Sequence, residues 1–295
     1  MSNNFDNRPI GVFDSGLGGL TSVRVLERIL PGEKIIYFGD TGRVPYGTRS
    51  GETIVKYSMD DLAFLIRKDV KAVLIACGTV SSIAMPTLAS MTDVPIVGVV
   101  TPACRKACEA AQSHPFGKKG NIAVLGTQAT AKNGAYETEI KRTNPDFNVV
   151  TVACPMFVPL VENGYIGDGN MITVEIAKEY ISKLSDFAPA SLILGCTHYP
   201  IIRSNIERAC REVLGYCPCI IDAGGCAAEA IKDKMTKDEA LSDGKDGGSS
   251  FFVSDETQNF TEIASRFLGR SISGVTRIDI TAQKPSEVLR VGGAK

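Results

Sequence analysis

Two cysteines occupy positions at which a thiol could do acid/base chemistry. Cys77 closes the apolar run LIACGT (Leu74 to Thr79) and Cys196 closes LILGCT (Leu192 to Thr197); a helix-forming stretch follows each. A strand that ends just before a helix presents its last residues at the carboxyl edge of a parallel sheet, where open α/β folds bind ligands. The helix amino end also favours a thiolate. The alternative is that each is a small buried hydrophobe, but Thr79 and the Thr197-His198 pair supply polar neighbours that a core thiol does not need. His198, one of two histidines, could hold or relay a proton near neutral pH or polarise a substrate oxygen; otherwise it caps a helix or fills core. His114, in QSHPFGKKG, reads as solvated.

The loop DSGLGG (Asp14 to Gly19) follows an apolar run and opens a helix, with Asp40 about 20 residues further on. It comes close to a dinucleotide fingerprint. Thr21 stands where the third glycine is required, however, and Asp14 would set a carboxylate beside a pyrophosphate. No GxxxxGK[ST] phosphate loop occurs. An acid at this turn suits an ammonium group or a proton-transfer partner, while Ser15 and the N–H groups of the glycine turn suit a carboxylate. Those are the two ends of an amino acid. Val44-Pro45-Tyr46-Gly47 and Val158-Pro159-Leu160-Val161-Glu162-Asn163-Gly164 form two further loops, either turn punctuation or ligand contacts; Glu162 is an acid or base there, or a solvated side chain. Cys217, Cys219 and Cys226 lack the two-plus-two spacing of a zinc site, so no metal is expected.

The elements that must position these groups follow an α/β pattern, in which short β-branched runs alternate with amphipathic stretches. Strands are expected at 10–14, 34–38, 72–77, 96–100, 122–125, 148–152, 192–196, 219–221 and 251–253. After Gly19, Val23, Leu26 and Leu30 share one helical face, and Pro31-Gly32 stops the helix. The run SDGKDGGSS (Ser242 to Ser250) reads as loop, and the tail after Ile280 as frayed. Three anchors reveal an internal repeat: Ile10-Gly-Val-Phe-Asp-Ser15 with Ile122-Ala-Val-Leu-Gly-Thr127, Val44-Pro45 with Val158-Pro159, and the Cys77 run with the Cys196 run. Their shared order predicts two similar α/β lobes with equivalent cysteines.

With 32 Lys+Arg against 33 Asp+Glu, a net charge of −1 and a pI near 6.2, no basic field marks a nucleic-acid or membrane-surface partner. The 295 residues are 44% hydrophobic and 22% charged, the composition of a folded globular chain. Neither a signal peptide nor a membrane span is read, and nine cysteines without a framework imply reduced thiols in a cytoplasmic protein.

Taken in order, IGVFDSGLGGLTSVRVL, FGDTGRVPYGTRS, LIACGTVSS, VPLVENG and LGCTHYP resemble the glutamate racemases of the aspartate/glutamate racemase superfamily, over about Ile10 to Ile280. The resemblance implies two pseudo-symmetric α/β lobes, each a mostly parallel sheet flanked by helices, with the active site between them. Residues 1–101 and 212–280 would form the first lobe, 102–211 the second, and 281–295 a tail. It implies cofactor-independent interconversion of L- and D-glutamate, supplying D-glutamate for peptidoglycan, with glutamate as the small-molecule partner and a homodimer as an admissible assembly. Cys77 and Cys196 would be the two acid/base residues, serving the D- and L-enantiomer respectively, with Asp14, Glu162 and His198 as auxiliaries. Asp14, Ser15, Pro45, Tyr46, Gly47, Gly78, Thr79, Thr127, Thr130, Thr197 and His198 would contact substrate. One departure stands out: the family has Asn after the first cysteine, in CNT, where this chain has Gly78. Two other readings remain open at this point. Aspartate racemase differs by one methylene of substrate, worth about 1–3 kcal/mol; a binding protein could use the same scaffold, although it would not need both cysteines.

Overall fold

A computed structural model describes residues 5–256 and 260–290. The chain divides into two compact units, residues 1–98 with 227–295, and residues 99–226.

The first unit opens with β1 (Ile10–Asp14), α1 (Leu20–Ile29), β2 (Lys34–Gly39), α2 (Gly51–Arg67), β3 (Ala72–Ile75), α3 (Gly78–Ile83), α4 (Met85–Ser90) and β4 (Ile96–Gly98). The second contains α5 (Val100–Ser113), β5 (Lys118–Gly126), α6 (Gln128–Asn133), α7 (Ala135–Thr143), β6 (Asn148–Ala153), α8 (Phe157–Glu162), α9 (Met171–Ser182), β7 (Pro189–Leu194), α10 (Arg203–Leu214) and β8 (Cys219–Asp222). The chain leaves it within α11 (Ala223–Lys237) and completes the first unit with β9 (Gly248–Val253), α12 (Phe260–Leu268) and β10 (Val275–Arg277).

Both sheets are parallel throughout, in the orders β10-β9-β2-β1-β3-β4 and β6-β5-β7-β8. β1 and β3 are wholly buried because helices cover both faces, which is why they read as unbroken apolar runs. Burying a side chain such as Phe13 or Ile75, both fully enclosed, is worth roughly 1.5–3 kcal/mol. Helix ends are set locally: the Ser50 side chain accepts from Thr53 N at the start of α2, and Thr127 does the same for Thr130 N at α6.

The repeat read from sequence reappears in the ladders. Ile10 pairs with Ile35 and Ala72, and its counterpart Ile122 pairs with Val149 and Ser191. Beyond the strands the match continues. Ala76 N donates to Phe13 O as Gly195 N does to Leu125 O, and Asp40 N donates to Asp14 O as Cys154 N does to Gly126 O. The order β2-β1-β3-β4 is thus repeated as β6-β5-β7-β8, with Cys77 and Cys196 at the same point after equivalent strands.

Three expectations are corrected. Residues 99–101 and 212–226 belong to the second unit, not the first, because α5 begins at Val100 and β8 bonds to β7 along Ser191–Leu194. Gly248 to Ser250 extend β9 instead of forming loop, since β2 offers them a ladder from Lys34 onward. The tail is docked, not frayed, as far as Arg290: Ile280 and Leu289 are buried in the first unit's core, Arg67 bonds Gln283 O and Glu287, and Arg290 N donates to Met91 O. Residues 291–295 lie outside the described residues.

Candidate active site

In the first unit the expected site residues collect at the carboxyl ends of β1, β2 and β3. Asp14 ends β1 and is almost fully buried. Its Oδ2 accepts from Gly16 N at 3.2 Å and Gly19 N at 3.0 Å, so two of the turn's N–H groups serve Asp14, not a ligand's carboxylate as expected. The turn needs glycine here: a Cβ on Gly19 would lie 2.6 Å from Asp14 Cβ, and one on Gly39 only 2.3 Å from Gly16 O. Tyr37, buried under the turn, donates to Gly16 O at 2.8 Å. These contacts hold Ser15 so that its Oγ lies 3.3 Å from Cys77 Sγ. Cys77 is the residue before α3, with Gly78 and Thr79 as that helix's first two residues, all three buried.

After β2, Pro45 is exposed, Gly47 half-buried and Tyr46 buried. The Tyr46 hydroxyl donates to Asp40 Oδ2 and lies 3.1 Å from Asp61 Oδ2, so its side chain is committed to the protein interior. Only the backbone of this residue can reach a ligand.

In the second unit the corresponding edge carries the remaining residues. Cys196 Sγ is 3.9 Å from His198 Nδ1, and His198 Nε2 is 3.0 Å from Glu162 Oε1 at the end of α8. The result is a thiol, an imidazole and a carboxylate in sequence. Burial by itself works against the charged imidazole, but the hydrogen bonds from Cys196 and Glu162 outweigh it and raise His198 from the ordinary 6.5 to about 10. His198 thus sets a positive charge 3.9 Å from Cys196 Sγ. Thr197 Oγ1 is 3.4 Å from His198 Nδ1. Thr127 and Thr130 share a 3.1 Å contact between their hydroxyls at the cap of α6, on the turn equivalent to Asp14-Ser15.

A residue not singled out from sequence braces this edge. Tyr199 is fully buried and its hydroxyl lies 3.1 Å from Gly126 O and 3.2 Å from Cys154 O; its ring packs edge-on against Phe157 of α8, the helix that ends in Glu162. Position within GCTHYP was the only available signal for it. Among the described residues no group of three or more His, Cys, Asp or Glu side chains is placed to hold a metal ion, and Cys217, Cys219 and Cys226 are in no disulfide.

Each unit thus carries a thiol just beyond the carboxyl end of a strand of its sheet. The chain belongs to the Asp/Glu/Hydantoin racemase family, whose sequence profile matches residues 18–231. Within that family it is similar to proteins named glutamate racemase: the one from Geobacter metallireducens is 38% identical over 94% of this chain and 98% of the relative, and that of Thermoanaerobacter pseudethanolicus is 40% identical over 93% and 98%. Among solved structures, Francisella tularensis glutamate racemase in complex with D-glutamate superposes with a TM-score of 0.83 at 36% identity, covering 93% of this chain and 98% of that one. A Picrophilus torridus aspartate racemase, 16% identical with a TM-score of 0.54, shares the fold alone.

Proposed function

We propose that this protein racemises glutamate without a cofactor, using Cys77 and Cys196 as two bases. One observation carries the reading: two thiols stand at equivalent points after strands of identical register, each with its own polar support. Inverting a stereocentre by proton transfer requires a base for each face of the planar carbanion, and a duplicated half-domain supplies two of the same kind. One cysteine starts as thiolate and removes the α-proton; the other starts as thiol and returns a proton to the opposite face. The two exchange states in each turnover.

Removing a weakly acidic α-proton with a thiolate is steeply uphill, so the developing charge must be stabilised electrostatically and water excluded. Cys196, supported by His198 and Glu162, serves the L-enantiomer; Cys77, beside Ser15 and near Asp14, serves the D-enantiomer. Ser15, the Pro45-Tyr46-Gly47 backbone, Gly78, Thr79, Thr127, Thr130 and Thr197 would form the substrate shell. D-Glutamate made this way feeds peptidoglycan synthesis in the cytoplasm; no helix among the described residues is long and apolar enough to cross a membrane.

The decisive experiment incubates the purified protein with each single enantiomer of glutamate and of aspartate and follows optical rotation to zero. Loss of rotation with both glutamates, and not with the aspartates, is expected. Faster decay with aspartate would move the assignment to that substrate, and no decay would favour a binding role.

A further inference from the structure

Below the Pro45-Tyr46-Gly47 loop lies a buried polar cluster that the proton-transfer mechanism does not use. Arg43 donates from Nε to Asp40 Oδ2 at 2.6 Å, from Nη1 to Asp60 Oδ2 at 2.6 Å and from Nη2 to Asp61 Oδ1 at 3.0 Å, while its guanidinium lies 4.2 Å above the Tyr57 ring. The Asp40 and Asp61 side chains are completely buried. Ser254 Oγ donates to Asp40 Oδ1 at 2.7 Å and accepts from Gly42 N at 2.8 Å. Three carboxyl groups thus meet a single cation.

The proton count decides how the cluster works. The Tyr46 hydroxyl has one hydrogen and two carboxyl oxygens within its reach, Asp40 Oδ2 and Asp61 Oδ2; Asp40, which already accepts from Arg43 and Ser254 as a carboxylate does, is the nearer and takes it. The 3.1 Å approach of Asp61 Oδ2 to the same hydroxyl oxygen is then a hydrogen bond only if Asp61 brings its own proton. Without that proton it is a contact between a buried anion and a lone pair, next to a second anion at Asp40. Burial and then the Asp40 charge both push Asp61 well above the usual carboxylate range, against the pull of Arg43.

We propose that Asp61 is held as the neutral acid and donates to Tyr46, which donates to Asp40, so that this directional chain latches the 44–47 loop in its substrate-receiving shape. Tyr46 and Asp61 are therefore positioning residues, acting through the loop backbone. The inference rests on the assignment of that loop to the substrate shell.

Replacement by asparagine tests the protonation state directly, because Asn places an N–H₂ donor where the acid has O–H and keeps the carbonyl for Arg43. Asp61→Asn is expected to leave KM for both glutamate enantiomers within about twofold of wild type. Tyr46→Phe and Asp61→Leu, which break the chain, raise KM about tenfold while kcat changes by less than about threefold. The difference infrared spectrum of wild type minus Asp61→Asn should show the C=O stretch of a protonated carboxyl group at neutral pH. A raised KM in Asp61→Asn equal to that of Asp61→Leu overturns the inference, as does the absence of the carboxyl band. It is also overturned if Tyr46→Phe, which keeps the ring and so tests the chain even where Asp61→Leu fails to fold, lowers Tm but leaves KM unchanged. The infrared band depends on Asp61 alone, so a failure of the latch is told apart from a failure of the two-thiol reading, which shows instead as activity surviving in Cys77→Ala or Cys196→Ala.

Discussion

Glu162→Gln isolates the charge that steadies His198. The substitution keeps a hydrogen-bond acceptor 3.0 Å from Nε2 and removes one negative charge. The imidazole, at about 10 against an ordinary 6.5, owes that position to Cys196 and Glu162 together, working against burial. Because the Glu162 side chain is half-exposed, solvent screens it, and its own share is roughly 1 kcal/mol, which lowers the His198 value by about 0.7 of a pH unit. Under the proposed mechanism the active form carries the imidazolium, whose charge steadies the anionic state of its neighbour. The basic limb of kcat/KM therefore moves down from about 10 by that amount, and the variant-to-wild-type ratio is about twofold lower near pH 9.5 than near pH 7.5, approaching fivefold above pH 10. Stability has a linked sign. A histidine value raised by folding stabilises fully below about 6.5, and that contribution is lost as pH rises through about 10. The variant should thus melt about 2 °C lower at neutral pH, with the gap closing above about pH 10. Initial rates by circular dichroism across this range, with calorimetric melts in the same buffers, provide the measurement. A ratio that stays flat with pH, or a limb that moves upward, refutes the coupling of Glu162 to Cys196 through His198.

Replacing either cysteine by alanine should abolish racemisation in both directions; in deuterated water the wild-type product carries α-deuterium while early residual substrate stays protiated, and equal early labelling of both enantiomers would indicate one shared base. Gly78→Asn should lower KM for glutamate several-fold, because Gly78 adopts a helical backbone as the first residue of α3 and an amide there adds a hydrogen bond worth about 1.5–3 kcal/mol to a charged group; a raised KM in a folded variant would assign this buried glycine a steric role instead. Exhaustive dialysis and chelation should leave activity intact, and a loss reversed only by pyridoxal phosphate, nicotinamide or a divalent ion would overturn the two-thiol assignment.

The frame was legible because parallel strands buried on both faces leave uninterrupted apolar runs, so β1, β3 and β7 announce themselves and place Cys77 and Cys196 at their ends. β10 was not read, since Val275-Thr276-Arg277 is three residues of half-polar edge with no such run. The lobe boundary was misplaced because nothing in CIID says whether β8 pairs with β7 or with the other sheet; only the ladder decides. The functional pairings divide in the same way. His198 beside Cys196 is a two-residue relation visible in GCTHYP, but its contact with Glu162 spans 36 positions, and that between Tyr46 and Asp61 spans 15. Nothing in the sequence of α2 marks Asp60 and Asp61, which only the fold brings against Arg43 and Tyr46.

The two half-sites share a backbone plan yet differ in chemistry: Cys77 has a hydroxyl at 3.3 Å, whereas Cys196 has a charged imidazole anchored by a carboxylate. The reaction limits what this asymmetry can do. L- and D-glutamate have equal free energy in water, so kcat/KM must be the same in both directions whatever residues surround each thiol. Unequal support can therefore shift kcat and KM only together, raising or lowering both for one enantiomer. Under the proposed assignment of Cys196 to the L-enantiomer, the charge beside Cys196 sets the balance between the two resting forms of the enzyme, one ready for each enantiomer. Substitutions at Glu162 or His198 should accordingly change the ratio of the kcat values of the two directions while their kcat/KM values fall in step.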